Sequence, residues 1–271
     1  MDAFQAIVLG IVQGLTEFLP VSSTAHLRIV PAFCGWADPG SAFTAVVQLG
    51  TMAAVLIFFR EDLWRILSTW LRSLRDPALR GHLDARMGWY IGLGTVPIAI
   101  FGFIFRDQIE SGGRNLYLIG SALIVLGLVL LYAEHVARRS RELPDINRAD
   151  ATLMGFAQAC ALVPGVSRSG ATITAGLFRG FDRESAARYS FLLSVPAVVL
   201  SGLFEARKIG GPHSAGAVPT IIATLLAFVV GYASIAWMLR YLVRHSTAVF
   251  VVYRVALGAV VLVLTAAGAI S

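Results

Sequence analysis

The 271-residue sequence predicts an all-α integral membrane protein: six transmembrane helices plus two re-entrant helical loops in an inverted-topology repeat. Three observations lead there. First, 57% of the residues are hydrophobic and 14% charged, where a soluble domain carries about 25% charged residues. Second, the apolar segments 3–12 and 151–163 are too short to cross a bilayer at about 1.5 Å per residue. Each leads into a proline, Pro20 or Pro164, and then a serine-rich turn. Third, if both segments dip and return, the basic residues fall on one side. Loops 60–86, 135–150, 179–188 and 240–247 carry 15 of them, against 4 on 106–115 and 205–217. Positive charge gathers on the cytoplasmic face, so both termini are expected outside. The chain then forms a single membrane domain, residues 1–271, with repeat halves of about 1–134 and 150–271 and a site where they meet.

Taken in order, residues 3–12 form the descending arm of the first loop. Pro20 ends that helix, because it lacks an N–H and pushes its predecessor out of helical backbone. Residues 27–36 return to the surface, where Trp36 and Asp38-Pro39-Gly40 mark an interface and a turn. Residues 41–59 are the first full span, with Gln48 facing the bundle. In 60–86, Leu63, Trp64, Leu67, Trp70, Leu71 and Leu74 alternate with arginines at helical spacing, which predicts an amphipathic surface helix. Spans follow at 87–105 and 116–134, separated by a turn holding Gly112-Gly113. After the polar stretch 135–150, segment 151–163 enters the second loop at Pro164-Gly165. Residues 179–188 are polar, and spans follow at 189–205, 218–239 and 248–270. Glycines recur along these spans, as close packing in lipid requires.

Net charge is +6, and 21 of the 22 basic residues are arginine. In a chain this apolar the excess points to cytoplasmic loops and anionic lipid headgroups, and nucleic acid is excluded as a partner. Cys34 and Cys160 lie far apart, form no metal or redox spacing, and read as small buried side chains. No basic stretch precedes residues 3–12, so no cleavable signal is expected. Tyr189, Trp237 and Tyr241 are read as interfacial, Gln158 as a packing residue, and Arg254 as snorkelling or helix-pairing.

The two loops hold most of the intramembrane polar chemistry. The first reads Gln13-Gly-Leu-Thr-Glu17-Phe-Leu-Pro20-Val-Ser22-Ser23-Thr24-Ala-His26. An ionisable group in a bilayer core costs about 2.5–3.5 kcal/mol on insertion scales, so such groups usually serve a site. Glu17 is a carboxylate held by a structural arginine, a metal ligand, a general base or a proton carrier. Gln13 lies one helical turn before it, placed to share a metal or a phosphate. His26 is a structural polar group or an acid–base beside Ser22 and Ser23. The second loop reads Pro164-Gly165-Val-Ser167-Arg168-Ser169-Gly170-Ala-Thr172. Arg168 is either a counter-ion for Glu17 or a phosphate clamp. Arginine grips phosphate bidentately, Gly165 and Gly170 let backbone N–H groups approach an anion, and a helix starting near Ser169 aims its positive end at it. Thr172 stands one turn on as a further donor. Together they predict an anionic, phosphorylated ligand.

These two motifs, their order and their separation resemble the bacitracin-resistance family of undecaprenyl-diphosphate phosphatases over the whole chain. The resemblance rests on Gln13, Glu17, Pro20, Ser22, Ser23 and His26, and on Pro164 through Thr172. It implies a bacterial inner-membrane enzyme that removes the terminal phosphate of a C55 polyprenyl diphosphate, recycling the lipid carrier of cell-wall synthesis. Its active site would face the periplasm or outside. It implies a divalent cation, Mg²⁺ or Ca²⁺, with Glu17 and Gln13 as ligands. By the same resemblance Ser23 is the favoured nucleophile, His26 assists proton transfer and Glu17 binds metal or activates the attack; a covalent phospho-Ser23 intermediate is the expectation, with direct attack by metal-bound water as the alternative. Arg168, Ser167, Ser169 and Thr172 hold the diphosphate, with Gln13, Ser22, Thr24, Gly165 and Gly170 lining it. The chain departs from the family at Gln13, where many members carry glutamate, a stronger metal ligand, and at Ala25, where glycine is common.

Partners implied are the lipid substrate and membrane lipids; a homodimer is left open. The rival reading is a transporter or flippase for a phosphorylated lipid or anion, with Glu17 and His26 relaying protons, since inverted repeats and broken helices are common in transporters.

Overall fold

The computed structural model of the chain describes residues 1–105, 108, 115–205 and 216–270. The expected Gly112-Gly113 turn and most of the 205–217 loop lie outside those residues. The described residues form eleven α-helices and no strand, apart from a single bridge between Arg141 and Phe181. The helices are α1 (Ala3–Phe18), α2 (Ser23–Cys34), α3 (Gly40–Phe58), α4 (Arg60–Ser73), α5 (Leu83–Ile104), α6 (Leu116–Val136), α7 (Arg148–Cys160), α8 (Arg168–Phe178), α9 (Arg183–Glu205), α10 (Ala217–Arg244) and α11 (Ala248–Ala266).

Four of these, α5, α6, α10 and α11, are long and apolar enough to cross a membrane; α3 with α4 makes a fifth if that pair, bent by 73°, is one span. Side chains such as Phe103, Val252 and Val263 stand exposed. Apolar exposure spread over so many helices suits lipid contact. The chain is a multi-pass, all-helical membrane protein. α4 behaves as its pattern predicts: Ile66, Thr69 and Ser73 turn inward, while Trp64, Leu67 and Leu71 are exposed.

Both short segments form helical hairpins. In the first, the Asp2 side chain accepts the Gln5 N–H and starts α1. α1 continues beyond the apolar stretch 3–12 to Phe18, as expected of a helix ended by Pro20, and so carries Gln13 and Glu17 on regular helix. It stops where Leu19, the residue before Pro20, is extended at ψ 145°. In the second, Asn147 and Asp150 form a capping box that starts α7. Each hairpin packs against a helix of the other half of the chain, α1 on α10 and α7 on α5. Glycine makes both contacts possible. A Cβ on Gly10 would lie 2.5 Å from Ala223 O, and one on Gly155 2.6 Å from Gly94 Cα.

Three expectations are corrected. Residues 183–188 begin helix α9, and the arginines expected on a polar loop there are ion-paired: Arg179 with Asp150, Arg183 with Glu134, Arg188 with Asp62. Tyr189 is not interfacial but buried, donating to Tyr90 O at 3.0 Å. Cys34 and Cys160 are exposed, not buried.

Candidate active site

The hairpins meet at their turns. Glu17, from the last turn of α1, is buried and accepts hydrogen bonds from four side chains: Ser23 Oγ at 2.6 Å, Arg168 Nη2 at 2.7 Å, Gln13 Nε2 at 3.0 Å and Gln48 Nε2 at 3.4 Å. One carboxylate therefore joins both hairpins and α3. The burial of this charge is offset by the arginine and by full hydrogen bonding. The structure thus brings together Gln13, Glu17, Ser23 and Arg168, and adds Gln48, which the sequence reading placed in the bundle without assigning it to the site.

Two atoms in this cluster remain buried without a hydrogen-bond partner: Arg168 Nη1, a donor, and Gln13 Oε1, an acceptor. Buried polar atoms are almost always paired, so a free donor and a free acceptor beside one carboxylate mark where a ligand or water completes the site.

The turns themselves share a backbone state. Ser22 stands at φ 73°, ψ 96° and Ser167 at φ 71°, ψ 114°, each immediately before a helix. Positive φ is uncommon for a residue with a Cβ and costs about 1–3 kcal/mol where it persists. The surroundings that impose it are visible. Arg254, from α11, is fully buried and donates to Pro20 O at 3.0 Å, Gly165 O at 3.1 Å and Val166 O at 3.0 Å. Ser169 Oγ adds a bond to Leu19 O at 2.9 Å. Arg254 therefore does not snorkel: it ties the carbonyls of both turns together. The signal for it was an arginine inside an apolar span.

Several expected ligand groups have structural duties. Gly165 adopts φ 91°, and a Cβ on Gly170 would lie 2.8 Å from Arg254 Nη1, so both glycines make room for the turn and its arginine. Thr172 is buried and bonds Arg168 O and Ser190 Oγ. Ser167 Oγ caps the N–H of Gly170 at 3.1 Å. Ser22 Oγ contacts only Thr24 Oγ1, at 3.3 Å, and Thr24 is exposed.

His26 is buried, and both ring nitrogens are engaged away from Ser23. Nδ1 lies 2.7 Å from Ser22 O, and Nε2 lies 2.7 Å from Tyr253 Oη. The structure does not bring His26 to Ser23: the group on the Ser23 hydroxyl is Glu17. A Glu17–His26 relay has no direct link either: among the described residues no hydrogen bond joins the two side chains. Among the described residues no three His, Cys, Asp or Glu side chains are grouped to hold a metal ion. The donors at hand for a cation are Glu17 and the free Gln13 Oε1.

A cavity of about 670 Å³ opens between the ends of α5, α6 and α7 and reaches Pro164; Phe101, Phe105, Leu118, Phe156 and Leu162 line it.

The family model described as Bacitracin resistance protein BacA matches residues 6–260. The chain is 58% identical to the undecaprenyl-diphosphatase of Nocardioides sp. (strain ATCC BAA-499 / JS614), over 100% of this chain and 99% of that one. It is 53% identical to the undecaprenyl-diphosphatase of Thermobifida fusca, over 100% and 93%. With that of Prosthecochloris aestuarii the identity is 50%, over 99% of each. The chain belongs to the bacitracin resistance protein family.

Proposed function

We propose, from this membership and the site, that the chain hydrolyses undecaprenyl diphosphate to undecaprenyl phosphate and inorganic phosphate. The reaction recycles the lipid carrier of cell-wall synthesis and confers bacitracin resistance. The observation that carries the site assignment is Arg168: one arm is fixed on Glu17, the carboxylate that also holds Ser23, and the other is buried and unpartnered. That arm suits an oxygen of the terminal phosphate, since guanidinium–phosphate bonds are short and strong.

Ser23 then stands as the nucleophile. Its Oγ attacks the terminal phosphorus as its proton passes to Glu17 Oε2, 2.6 Å away. The bond from phosphorus to the bridging oxygen breaks, and its electron pair leaves with undecaprenyl phosphate. Water next attacks phospho-Ser23. Glu17 returns its proton to Oγ as the P–Oγ bond breaks, and both water protons leave on the released phosphate as dihydrogen phosphate. Arg168 balances charge on the transferring oxygens throughout.

A divalent cation, Mg²⁺ or Ca²⁺, fits this site in one way. A single carboxylate and one amide oxygen make a poor protein cage, and Mg²⁺ is commonly held by one or two carboxylates plus substrate phosphates. Glu17 and Gln13 Oε1 would hold it together with the diphosphate. When bound it would neutralise diphosphate charge. The apolar cavity beside Pro164 suits part of the polyprenyl chain.

The finer architecture belongs to the same reading: six spans, two re-entrant hairpins and an inverted repeat of about 1–134 on 150–271. Its support is the shared conformation of Ser22 and Ser167 and the reciprocal packing of α1 on α10 and α7 on α5. The 15-to-4 bias of basic residues supports external termini in the inner membrane and a site open to the outside.

The test is phosphate release from undecaprenyl diphosphate by the purified protein, with Mg²⁺ or Ca²⁺ and then with chelator, beside Arg168→Ala. Arg168→Ala is expected to lower turnover about 10²–10³-fold. Undiminished release by that variant would remove Arg168 from the site. No release by folded wild-type protein would sink the assignment.

A further inference from the structure

We infer that Tyr253 is a positioning residue for this reaction: through His26 it clamps the strained Ser22 turn and so aims Ser23 at Glu17. The inference rests on the reading of Ser23 as nucleophile.

It starts from hydrogen-bond chemistry. Ser22 O is a carbonyl and can only accept, so the 2.7 Å contact requires the proton on His26 Nδ1. In the neutral ring Nε2 then carries the lone pair and needs a donor. Tyr253 Oη, 2.7 Å away, supplies it. The two rings lie nearly parallel, at 8° with centroids 5.6 Å apart, so the Tyr253 hydroxyl meets Nε2 with the rings aligned edge to edge.

The need for a clamp shows in the second hairpin. Ser167 holds the same left-handed state, but its own hydroxyl caps the Gly170 N–H, and its carbonyl takes the Ala171 N–H at 2.8 Å. Ser22 provides no side-chain cap, and the His26 N–H reaches its carbonyl at only 3.2 Å. The residue four places after the turn serine is Ala171 in one hairpin and His26 in the other. Only the hairpin lacking the cap has the imidazole, and only that imidazole has a tyrosine behind it. Ser23, the next residue after Ser22, inherits its direction from this turn. His26 on this account never exchanges a proton with Ser23.

Tyr253→Phe keeps the ring contact and removes the hydroxyl. It is expected to lower kcat about 10–100-fold, the range seen when a group that orients a metal-bound histidine is lost, with KM little changed and thermal unfolding unmoved. Wild-type kcat in Tyr253→Phe would overturn the inference. Glycine adopts positive φ freely, so in a Ser22→Gly background the same change should cost less than threefold; an undiminished penalty there would count against the clamp. A second measurement needs no turnover. In ¹⁵N-histidine-labelled protein in nanodiscs, the His26 signal, assigned by its loss in His26→Gln, should be a single Nδ1-protonated form that becomes mixed in Tyr253→Phe. A protonated Nε2 with bare Nδ1 in the wild type, or an unchanged spectrum in the variant, would refute the clamp. A wild-type chain that released no phosphate would sink the phosphatase reading while that spectrum still decided the clamp.

Discussion

The two hairpins, α1–α2 and α7–α8, are built to one plan and differ where chemistry is concerned. Asp2 and Asn147 cap their first helices, Gln13 and Gln158 lie on them, and Ser22 and Ser167 turn them through the same left-handed backbone; each pair is 145 residues apart. The next residue opens the second helix: Ser23 in one hairpin, Arg168 in the other. In the proposed reaction the same structural position therefore supplies the nucleophile from one side and the phosphate clamp from the other. The difference lies in support. The second turn adds local support to the two Arg254 bonds it receives, with a serine cap and a glycine, Gly165, at φ 91° to absorb an extra residue between proline and serine. The first turn leans on side chains from elsewhere: His26, Tyr253 and Arg254. Both copies share the Arg254 lock, but one adds its own serine cap where the other adds an imidazole and a tyrosine, so the Ser22 hydroxyl is not needed as a cap.

The sharpest way to break this comparison is at the reacting position. Ser23→Ala should abolish the phosphoserine and lower turnover on the order of 10⁴-fold or more, as loss of a nucleophile does elsewhere. Ser169→Ala, in the second hairpin, loses the bonds to Leu19 O and Ser167 Oγ, about 1–2 kcal/mol of stability, and should retain most of its turnover. Acid-quench trapping of labelled phosphate on the protein, beside steady-state release, separates the two. Equal losses would mean that neither serine is the nucleophile.

The shared lock comes next. Arg254→Met should destabilise the protein by about 3 kcal/mol, roughly 1 kcal/mol for each turn carbonyl left without a donor: Pro20, Gly165 and Val166. Both turns should loosen together, read as faster hydrogen exchange at residues 19–23 and 164–169. Loosening of one turn alone would show that Arg254 serves a single hairpin.

Much of this was legible in the order of residues, for reasons that can be named. Pro20 breaks a helix by covalent chemistry alone, and Glu17 and Arg168 are too costly in lipid to be idle. Amphipathic α4 announces itself by spacing. What was hidden depends on long-range convergence. Arg254 near the end of a span satisfies the snorkelling pattern as well as the lock pattern, and only folding brings it to carbonyls 88 to 234 residues away. Tyr189 beside an arginine-rich stretch reads as interfacial until α9 is seen to start at Arg183. His26 beside serines reads as their base until Glu17 is found on the Ser23 hydroxyl. The left-handed φ of two serines has no local signal, because glycine is what that state normally recruits.

A smaller effect sharpens the contrast in self-support. Ser167→Ala removes a side-chain cap and should cost about 1 kcal/mol, whereas Ser22→Ala removes none and should cost a few tenths at most. Thermal unfolding of the two variants in one detergent decides it. A Ser22→Ala loss as large as that of Ser167→Ala would mean that the first turn also relies on its own hydroxyl.

The smallest expected effect concerns the outer ends of the hairpins. α1 is capped by exposed Asp2, while the first turn of α7 carries Asp150, a fully buried carboxylate. Burial by itself would raise the Asp150 carboxyl. The hydrogen bonds from Arg141, at 2.6 and 3.1 Å, and from Arg179, at 2.6 Å, outweigh it and hold the group below its ordinary value of 3.8. A carboxyl lowered in the folded state contributes stability that is fully present above its unfolded pKa. That contribution drains away as pH falls below about 3.8 toward the folded value, because the unfolded chain takes up the proton first. Acid should therefore loosen α7 before α1. Hydrogen exchange measured from pH 5 downward, corrected for the intrinsic rate at each pH, should show protection lost at residues 148–160 while 3–18 changes little. In Asp150→Asn the α7 segment should start less protected and lose its extra acid sensitivity. If both segments opened at the same pH in the wild type, the Arg141–Asp150–Arg179 cluster would not be what anchors the second hairpin.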